Sequence, residues 1–316
     1  MRQNSLVIVL VIGSNGQDGS ILCDLLKEHG IKFVGVSRNS IQTGDETIDS
    51  QVDLSNFKSS QAFFNQVCPS HIVHLAAVHA PSGSMHKVGE LMHNEMYKCH
   101  VEITRNILEW QINNSGSKSM IALSSQMYSA QKQDPFITLN SQLNPSSKYG
   151  ETKAESWNLI KSYRAEHDIK AYGLILFNHT SSRSKQNFLF PEMASQFSNI
   201  MRGQETVIKI LDTEGFIDIF SAYELGAGLI RCIETEFFQD IIFSSGNYIK
   251  ISEVIQNAAK ILQISSKIKL ISTNPKVQTI PLFGDISKTY DILGWKPILS
   301  PSEILASMVR ELRNVD

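Results

Sequence analysis

The apolar run at residues 6–12 passes straight into Gly13-Ser14-Asn15-Gly16-Gln17-Asp18-Gly19, and a helical pattern follows at once. A strand, a glycine-rich turn and a helix in that order leave few folds open. The first glycine permits the tight turn, the second lets a diphosphate approach the backbone, and the third allows the helix to pack close against the strand. Unpaired N–H groups at the helix N-terminus complete an anion cradle. Gly13, Asn15, Gly16, Gln17, Asp18 and Gly19 therefore read as cofactor-binding residues, because the triplet sits in the strand–turn–helix context its mechanism needs.

Short β-branched runs recur at residues 32–37, 47–52, 71–77, 119–124 and 171–177. Between them lie helical faces, one made by Ile21, Leu22, Leu25 and Leu26 and another by Cys99, Ile103 and Ile107 at i, i+4 spacing. The alternation predicts a β-α-β-α order throughout, with right-handed crossovers and a parallel sheet covered on both faces. Beyond Phe177 the pattern loosens. Residues 178–215 are polar with a helix-like section at 193–201, the run 241–244 returns to the sheet, and the remainder, with Pro275, Pro281, Pro297 and Pro301, reads as short helices and loops. The expected fold is α/β, a Rossmann-type doubly wound parallel sheet with a smaller, discontinuous C-terminal substrate lobe. Residues 1–177 with roughly 214–247 form the NAD(P)-binding domain, and roughly 178–213 with 248–316 form the lobe over the carboxyl edge of the sheet.

Composition excludes several function classes. The 316 residues, 42% of them hydrophobic, bury a full core, and a net charge of -2 gathers neither nucleic acid nor an anionic membrane. The run at 6–12 is too short for a signal-peptide core, and nothing approaches the roughly 20 apolar residues of a membrane span. Cys23, Cys68, Cys99 and Cys232 are scattered without a Cys-x-x-Cys pair or a histidine at metal spacing, so no metal is expected and they read as buried free thiols in a reducing cytoplasm.

The second strand ends Val36-Ser37-Arg38 and lacks the acidic residue that bonds an NAD ribose. Arg38 is placed to meet a 2′-phosphate, which favours NADP over NAD; the alternative is a solvated surface arginine. Further on, Tyr149 and Lys153 lie four residues apart in a segment, 147–164, whose composition favours helix, so both side chains share one face.

With Ser124 at the end of the fifth strand, these motifs resemble the extended short-chain dehydrogenases/reductases. Leu75-Ala76-Ala77, Leu176-Phe177-Asn178-His179, Asn187-Phe188, Gly284-Asp285 with Lys288, and Leu293-Gly294-Trp295-Lys296-Pro297 look like the nucleotide-sugar epimerases and dehydratases, most closely the GDP-mannose 4,6-dehydratases. The resemblance covers nearly the whole chain. It implies that Ser124, Tyr149 and Lys153 are catalytic, the lysine ammonium and the nicotinamide charge lowering the tyrosine pKa until the phenolate takes a proton from a sugar hydroxyl. It places Asp53 and Leu54, at the close of the third strand, against adenine, with a plain turn aspartate as the alternative, and Leu75, Ala76 and Ala77 against the cofactor. It also implies a transient 4-keto sugar, a GDP-linked substrate touched by Ser125, Gln126, Asn178 and Asn187, and a homodimer or higher homo-oligomer with contacts through two helices flanking the sheet.

Two departures bear on the reaction. Where dehydratases carry a glutamate that removes the C5 proton, this chain reads Ser124-Ser125-Gln126, and an amide orients a hydroxyl without acting as a base. Where they carry a phosphate-gripping arginine, this chain has Gly215, which moves that task to Arg183 or Arg202 unless these are surface charges. His79 and His179 lie near the expected mouth of the site, with pocket lining as the default and acid–base work as the alternative for His79; Trp295 reads as an anchor for the C-terminal segment. The leading expectation is a cytoplasmic nucleotide-sugar enzyme working by hydride transfer at C4, with reduction, oxidation or epimerisation favoured. A true 4,6-dehydratase with another acid or base is the same-class alternative. A non-catalytic NADP-binding sensor is the alternative of another class, and it is weakened by the intact Tyr149 and Lys153.

Overall fold

Val9, Leu10, Val11 and Ile12 have no face toward solvent, as a central strand between two helical layers demands. In the computed structural model, which describes residues 7–44, 46–49, 51–79, 88–129, 135–236, 239–274 and 282–314, they form β1 (Ile8–Ile12). Leu6, the first residue of the run at 6–12, and Pro275 and Pro281 lie outside the described residues. α1 (Gln17–Glu28) follows β1 and buries Ile21, Leu22 and Leu26. β2 (Lys32–Val36) then lies parallel to β1.

The chain does not return as a third parallel strand after a helix. β3 (Ser40–Thr43) and β4 (Glu46–Asp49) form an antiparallel hairpin on the edge of β2. Residues 37–45 are too few for a parallel crossover, which takes about a dozen residues or more. Gly44, at a φ of 56°, turns the hairpin. From there the expected alternation resumes with α2 (Phe57–Val67), β5 (His71–His74), α3 (Glu90–Tyr97), a π-helical turn at Lys98–Glu102, α4 (Ile103–Ile112) and β6 (Lys118–Ala122). Cys99 thus sits in the π turn that joins α3 to α4. A short β7 (Phe136–Ile137), the long α5 (Lys148–His167) and β8 (Lys170–Leu176) complete this half.

The sheet runs β13-β8-β6-β5-β1-β2-β3-β4, β13 being Ile241–Phe243, and every pairing from β13 to β2 is parallel. β1 has β2 on one side and β5 on the other, so the chain order reverses at β1 and a crevice opens at the carboxyl ends of β1 and β5. This is the Rossmann-like α/β fold expected.

A second hydrophobic cluster lies beyond the sheet. β9 (Asn178–Thr180) leads to α6 (Leu189–Met201), which begins earlier than the expected 193–201 because Pro191 is tolerated in a first turn. Phe190, Met193 and Phe197 of α6 pack with Ile255 of α8 (Ile251–Ile261) and Leu305 and Val309 of α10 (Pro301–Asn314). β10 (Val207–Ile210) and β15 (Lys269–Ser272) pair in parallel beside them. The C-terminal stretch is therefore more regular than short helices and loops: Pro301 opens α10 instead of breaking it, and Ile304, Leu305, Met308 and Val309 give that helix a buried face.

Between the two clusters β11 (Phe216–Ile217) pairs with β14 (Ile249–Lys250), β12 (Ile219–Ser221) with β9, and β16 (Phe283–Gly284) with β7. α7 (Ala222–Glu234) lies against α1, its Gly226 letting Ile21 and Leu25 come close. Trp295, after α9 (Ser287–Leu293), donates to the Glu224 carbonyl at 2.7 Å and packs on Phe220 and Phe243, the anchoring role expected of it. All four cysteines are free thiols, but Cys68 is exposed at the end of α2, so burial holds for Cys23 and Cys232 and only partly for Cys99. Among the described residues no helix is long and apolar enough to cross a membrane.

Candidate active site

The glycine turn is shaped by close approach. Gly13, at a φ of 95°, leaves β1 so near the exit of β5 that a Cβ would stand 2.6 Å from the Ala76 nitrogen. A Cβ on Gly19 would stand 2.1 Å from the Gly13 carbonyl oxygen, so the first turn of α1 rests directly on the loop. Gly16 is the N-cap of α1 and supplies no side-chain cap, leaving bare backbone N–H groups at a helix N-terminus. These features fit a dinucleotide diphosphate. Leu75, Ala76 and Ala77 line the neighbouring exit of β5, the Leu75 N–H donating to the Ile12 carbonyl at 2.9 Å.

The side chains around that turn divide. Asn15 Nδ2 donates to Ser37 Oγ at 3.1 Å and Ser40 Oγ at 3.0 Å, tying the loop to the end of β2, where Arg38 stands exposed. Gln17 and Asp18, expected to serve the cofactor, reach instead to the segment after β8. Gln17 Oε1 accepts from Ser181 Oγ at 3.0 Å and from Ser184 Oγ, and the Asp18 carboxylate meets His179 Nε2 at 2.9 Å. What these two residues can offer a diphosphate is their backbone. Asp53 does not close a strand either, since β4 ends at Asp49. Its exposed carboxylate accepts from Ser55 N at 2.9 Å and Ser55 Oγ at 2.6 Å, bonds that hold it below its usual pKa, while buried Leu54 gives its carbonyl to Asn106.

Burial alone would push the Asp18 carboxyl up; the charge and hydrogen bond of His179 outweigh that and hold it below its usual range. Burial would likewise lower His179, yet Asp18 raises it. The stabilisation from His179 is complete below its ordinary value near 6.5 and fades as pH climbs through the raised one. That from Asp18 is present above 3.8 and fades as pH drops through the lowered one. Asp18→Asn is therefore expected to cost about 2 kcal/mol near pH 5.5 and clearly less near pH 9. Thermal unfolding at both pH values checks this, and equal losses would show that the ion pair contributes nothing.

The catalytic candidates come together at the end of β6. Ser124 caps a 3-10 turn, Ser125–Met127, its hydroxyl accepting from the Gln126 N–H at 3.2 Å and standing close enough to the Tyr149 phenol to pull its pKa down. Ser147 caps α5, putting Tyr149 in its first turn and Lys153 one turn on. Lys153 Nζ donates to the Ala122 carbonyl at 2.7 Å and lies 5.9 Å from the Tyr149 ring centroid. Burial drives both away from their charged forms: the Tyr149 phenol is pushed up, against the pull of Ser124, and Lys153 falls to about 8. Gly150, not singled out in the sequence, permits this arrangement, because a Cβ there would stand 2.1 Å from the Gln126 carbonyl.

Two imidazoles bracket the Tyr149 ring. His100 meets it edge-on at 5.1 Å, and both its nitrogens are bonded, Nδ1 to Thr152 Oγ1 at 2.8 Å and Nε2 to the Val78 N–H at 3.1 Å. His79 stacks on it at 4.8 Å and 27°, and burial, then the Lys153 charge, lower its pKa to about 4.

Of the expected substrate residues, Ser125 is buried in the 3-10 turn and Gln126 Oε1 accepts from Ser147 Oγ at 3.2 Å. Asn178 is exposed and donates to the Asp218 carbonyl at 3.0 Å. Exposed Asn187 precedes Phe188, whose ring lies edge-on to His79 at 5.9 Å, which brings the start of α6 to the catalytic group. The arginines are not brought there. Arg183 binds Asp24 at 2.6 Å and Ser20 Oγ at 3.1 Å along α1. Arg202 caps the far end of α6, roughly 20 Å along the helix from Phe188. Among the described residues no group of His, Cys, Asp and Glu is arranged to hold a metal ion.

Known proteins resemble this chain along nearly its whole length. The family model of GDP-mannose 4,6 dehydratase matches residues 10–308. A GDP-mannose 4,6-dehydratase of Yersinia enterocolitica is 24% identical, over 95% of this chain and 92% of that protein. The human GDP-mannose 4,6 dehydratase is 22% identical, over 96% and 90%. Among solved structures, RMD from Pseudomonas aeruginosa complexed with NADPH aligns with a TM-score of 0.81 at 16% identity, covering 98% of this chain and 100% of the other. UDP-glucose 4-epimerase of Thermotoga maritima with UDP-glucose aligns at 0.79 and 18% identity, covering 98% and 99%. At such identities the structural likeness speaks for the fold.

Proposed function

The chain belongs to the GDP-mannose 4,6-dehydratase family, and from that premise we propose that it modifies a GDP-linked hexose by reversible oxidation at C4, with NADP as its nicotinamide cofactor. The observation that carries the reading is the buried trio of Ser124, Tyr149 and Lys153 beside the glycine cradle. When bound, an oxidised nicotinamide supplies the hydride acceptor. The chain's own part is the proton. Tyr149 takes it from the sugar hydroxyl, the Ser124 hydroxyl beside the phenol favours its charged form, and the Lys153 ammonium offsets the negative charge that develops on the phenolate. A non-catalytic sensor has no need of this constellation.

Gln126 directs the reading toward oxidation, reduction or epimerisation. Its amide cannot take up a proton, and Ser147 already donates to its oxygen. Relatives bind GDP-mannose by name, and one solved neighbour carries NADPH, which supports the ligand classes chosen. Homodimeric assembly in the cytoplasm belongs to the same proposal.

Incubating the purified protein with NADP and a panel of nucleotide sugars, GDP-mannose first, tests the reading through NADPH absorbance and product mass together. A two-hydrogen mass change with matching cofactor turnover marks a dehydrogenase or reductase. Loss of one water without net NADPH marks a dehydratase, and no turnover of any sugar overturns the reading. The cofactor choice has its own test. Arg38→Ala is expected to weaken NADP by about tenfold or more, the worth of a charge-assisted phosphate contact, and NAD much less. Equal weakening in titrations of both would mean that Arg38 does not meet a 2′-phosphate.

A further inference from the structure

We propose that His79 is the acid–base residue that moves a proton at the sugar carbon next to the one oxidised. The inference rests on the proposed reaction and deepens it. Once a hydroxyl has become a ketone, the neighbouring C–H bonds are acidic. A base that takes such a proton leaves the C–H electron pair delocalised as an enolate. Return of the proton to carbon gives exchange or an epimer, and loss of a hydroxyl from the next carbon, protonated as it leaves, gives water.

The position of His79 suits that step. Its ring stacks on Tyr149 and meets Phe188 edge-on, so it touches both the group that serves the hydroxyl and the residue beside Asn187 that leads into α6. The other histidines and carboxylates nearby are bonded or shut away from solvent. His100 has both nitrogens bonded and is 1% exposed. His74 is as deeply buried; it gives Nε2 to the Cys99 carbonyl, and its unpaired Nδ1 is closed off from solvent. Asp18 and His179 hold each other. Asp218 accepts from Ser244, from Ser245 and weakly from Gly284 behind the sheet edge. His79 is only half-buried, and the charges acting on it are Lys153, Asp18, His179 and Lys185. Burial with Lys153 nearby keeps its imidazole neutral, with a lone pair ready at physiological pH.

The test separates carbon-proton transfer from hydride transfer. Holoenzyme is given a GDP-linked 4-keto-6-deoxyhexose in D2O, and deuterium beside the carbonyl is followed by mass; NADPH formed from GDP-mannose in a single turnover is followed in parallel. His79→Phe keeps a ring on Tyr149 and removes the base. It is expected to slow exchange by about 10²-fold or more, far more than it slows hydride transfer, and added imidazole is expected to restore exchange to folded His79→Ala. Exchange at the wild-type rate in His79→Phe would reduce the ring to packing. Parallel loss of exchange and hydride transfer without imidazole rescue would make His79 a positioning residue for Tyr149. Wild-type protein that transfers hydride without exchanging overturns the role of His79 and leaves the proposed function standing; absence of both overturns the two together.

Discussion

Tyr149→Phe is expected to lower turnover by about 10³-fold while NADP still binds within a few-fold of wild type. The substitution removes one oxygen and keeps the ring, so the stack of His79 and the edge contact of His100 survive. The residue is 5% exposed, and its packing contacts are those of the ring. What disappears is the proton acceptor. Burial pushes the phenol's pKa up even with Lys153 nearby, and the added positive charge of a bound nicotinamide is what would bring it down. Turnover in the NADPH assay and a separate NADP titration distinguish the outcomes. An active variant would remove Tyr149 from the mechanism, and a variant that no longer binds NADP would make the tyrosine a cofactor contact instead.

The parts of this fold that were legible in the sequence are those set by neighbours in the chain. The strand–turn–helix around Gly13 and the Tyr149–Lys153 step are short-range patterns, and both elements form where expected. The β3–β4 hairpin was missed because residues 47–52 carry the composition of a strand without declaring its partner; the length of chain from β2 was the usable signal. Pro301 is ambiguous for the opposite reason, since a proline punctuates a loop and opens a helix equally well. In the site, Gln17 and Asp18 belong to the motif by sequence, but their side chains answer to Ser181, Ser184 and His179, more than a hundred residues away in the chain. Gly150 gave no local sign at all. Its role exists only because α5 closes against the Gln126 carbonyl, a contact that no spacing announces.

Lys153→Met is expected to abolish measurable turnover, by about 10³-fold or more, without lowering stability at neutral pH. The lysine is 2% exposed, and burial lowers its pKa from 10.5 to about 8. Between those values the unfolded chain holds the proton more often than the folded one, so stability rises with pH across that interval. Near pH 7 the full cost of the buried cation is present, about 3 kcal/mol at the usual conversion. Methionine removes that cost and fills similar space, while leaving the Ala122 carbonyl without the Nζ donor now 2.7 Å away, a loss of about 1–3 kcal/mol. The two nearly cancel. The Tm of the variant at pH 7 should therefore equal or exceed that of wild type, and its advantage should shrink toward pH 10.5 as the wild-type lysine discharges in both states. A variant destabilised by several kcal/mol at pH 7 would show that Lys153 holds the site together, whereas unchanged stability with lost turnover would show that the cation is kept at an energetic cost for the chemistry at Tyr149.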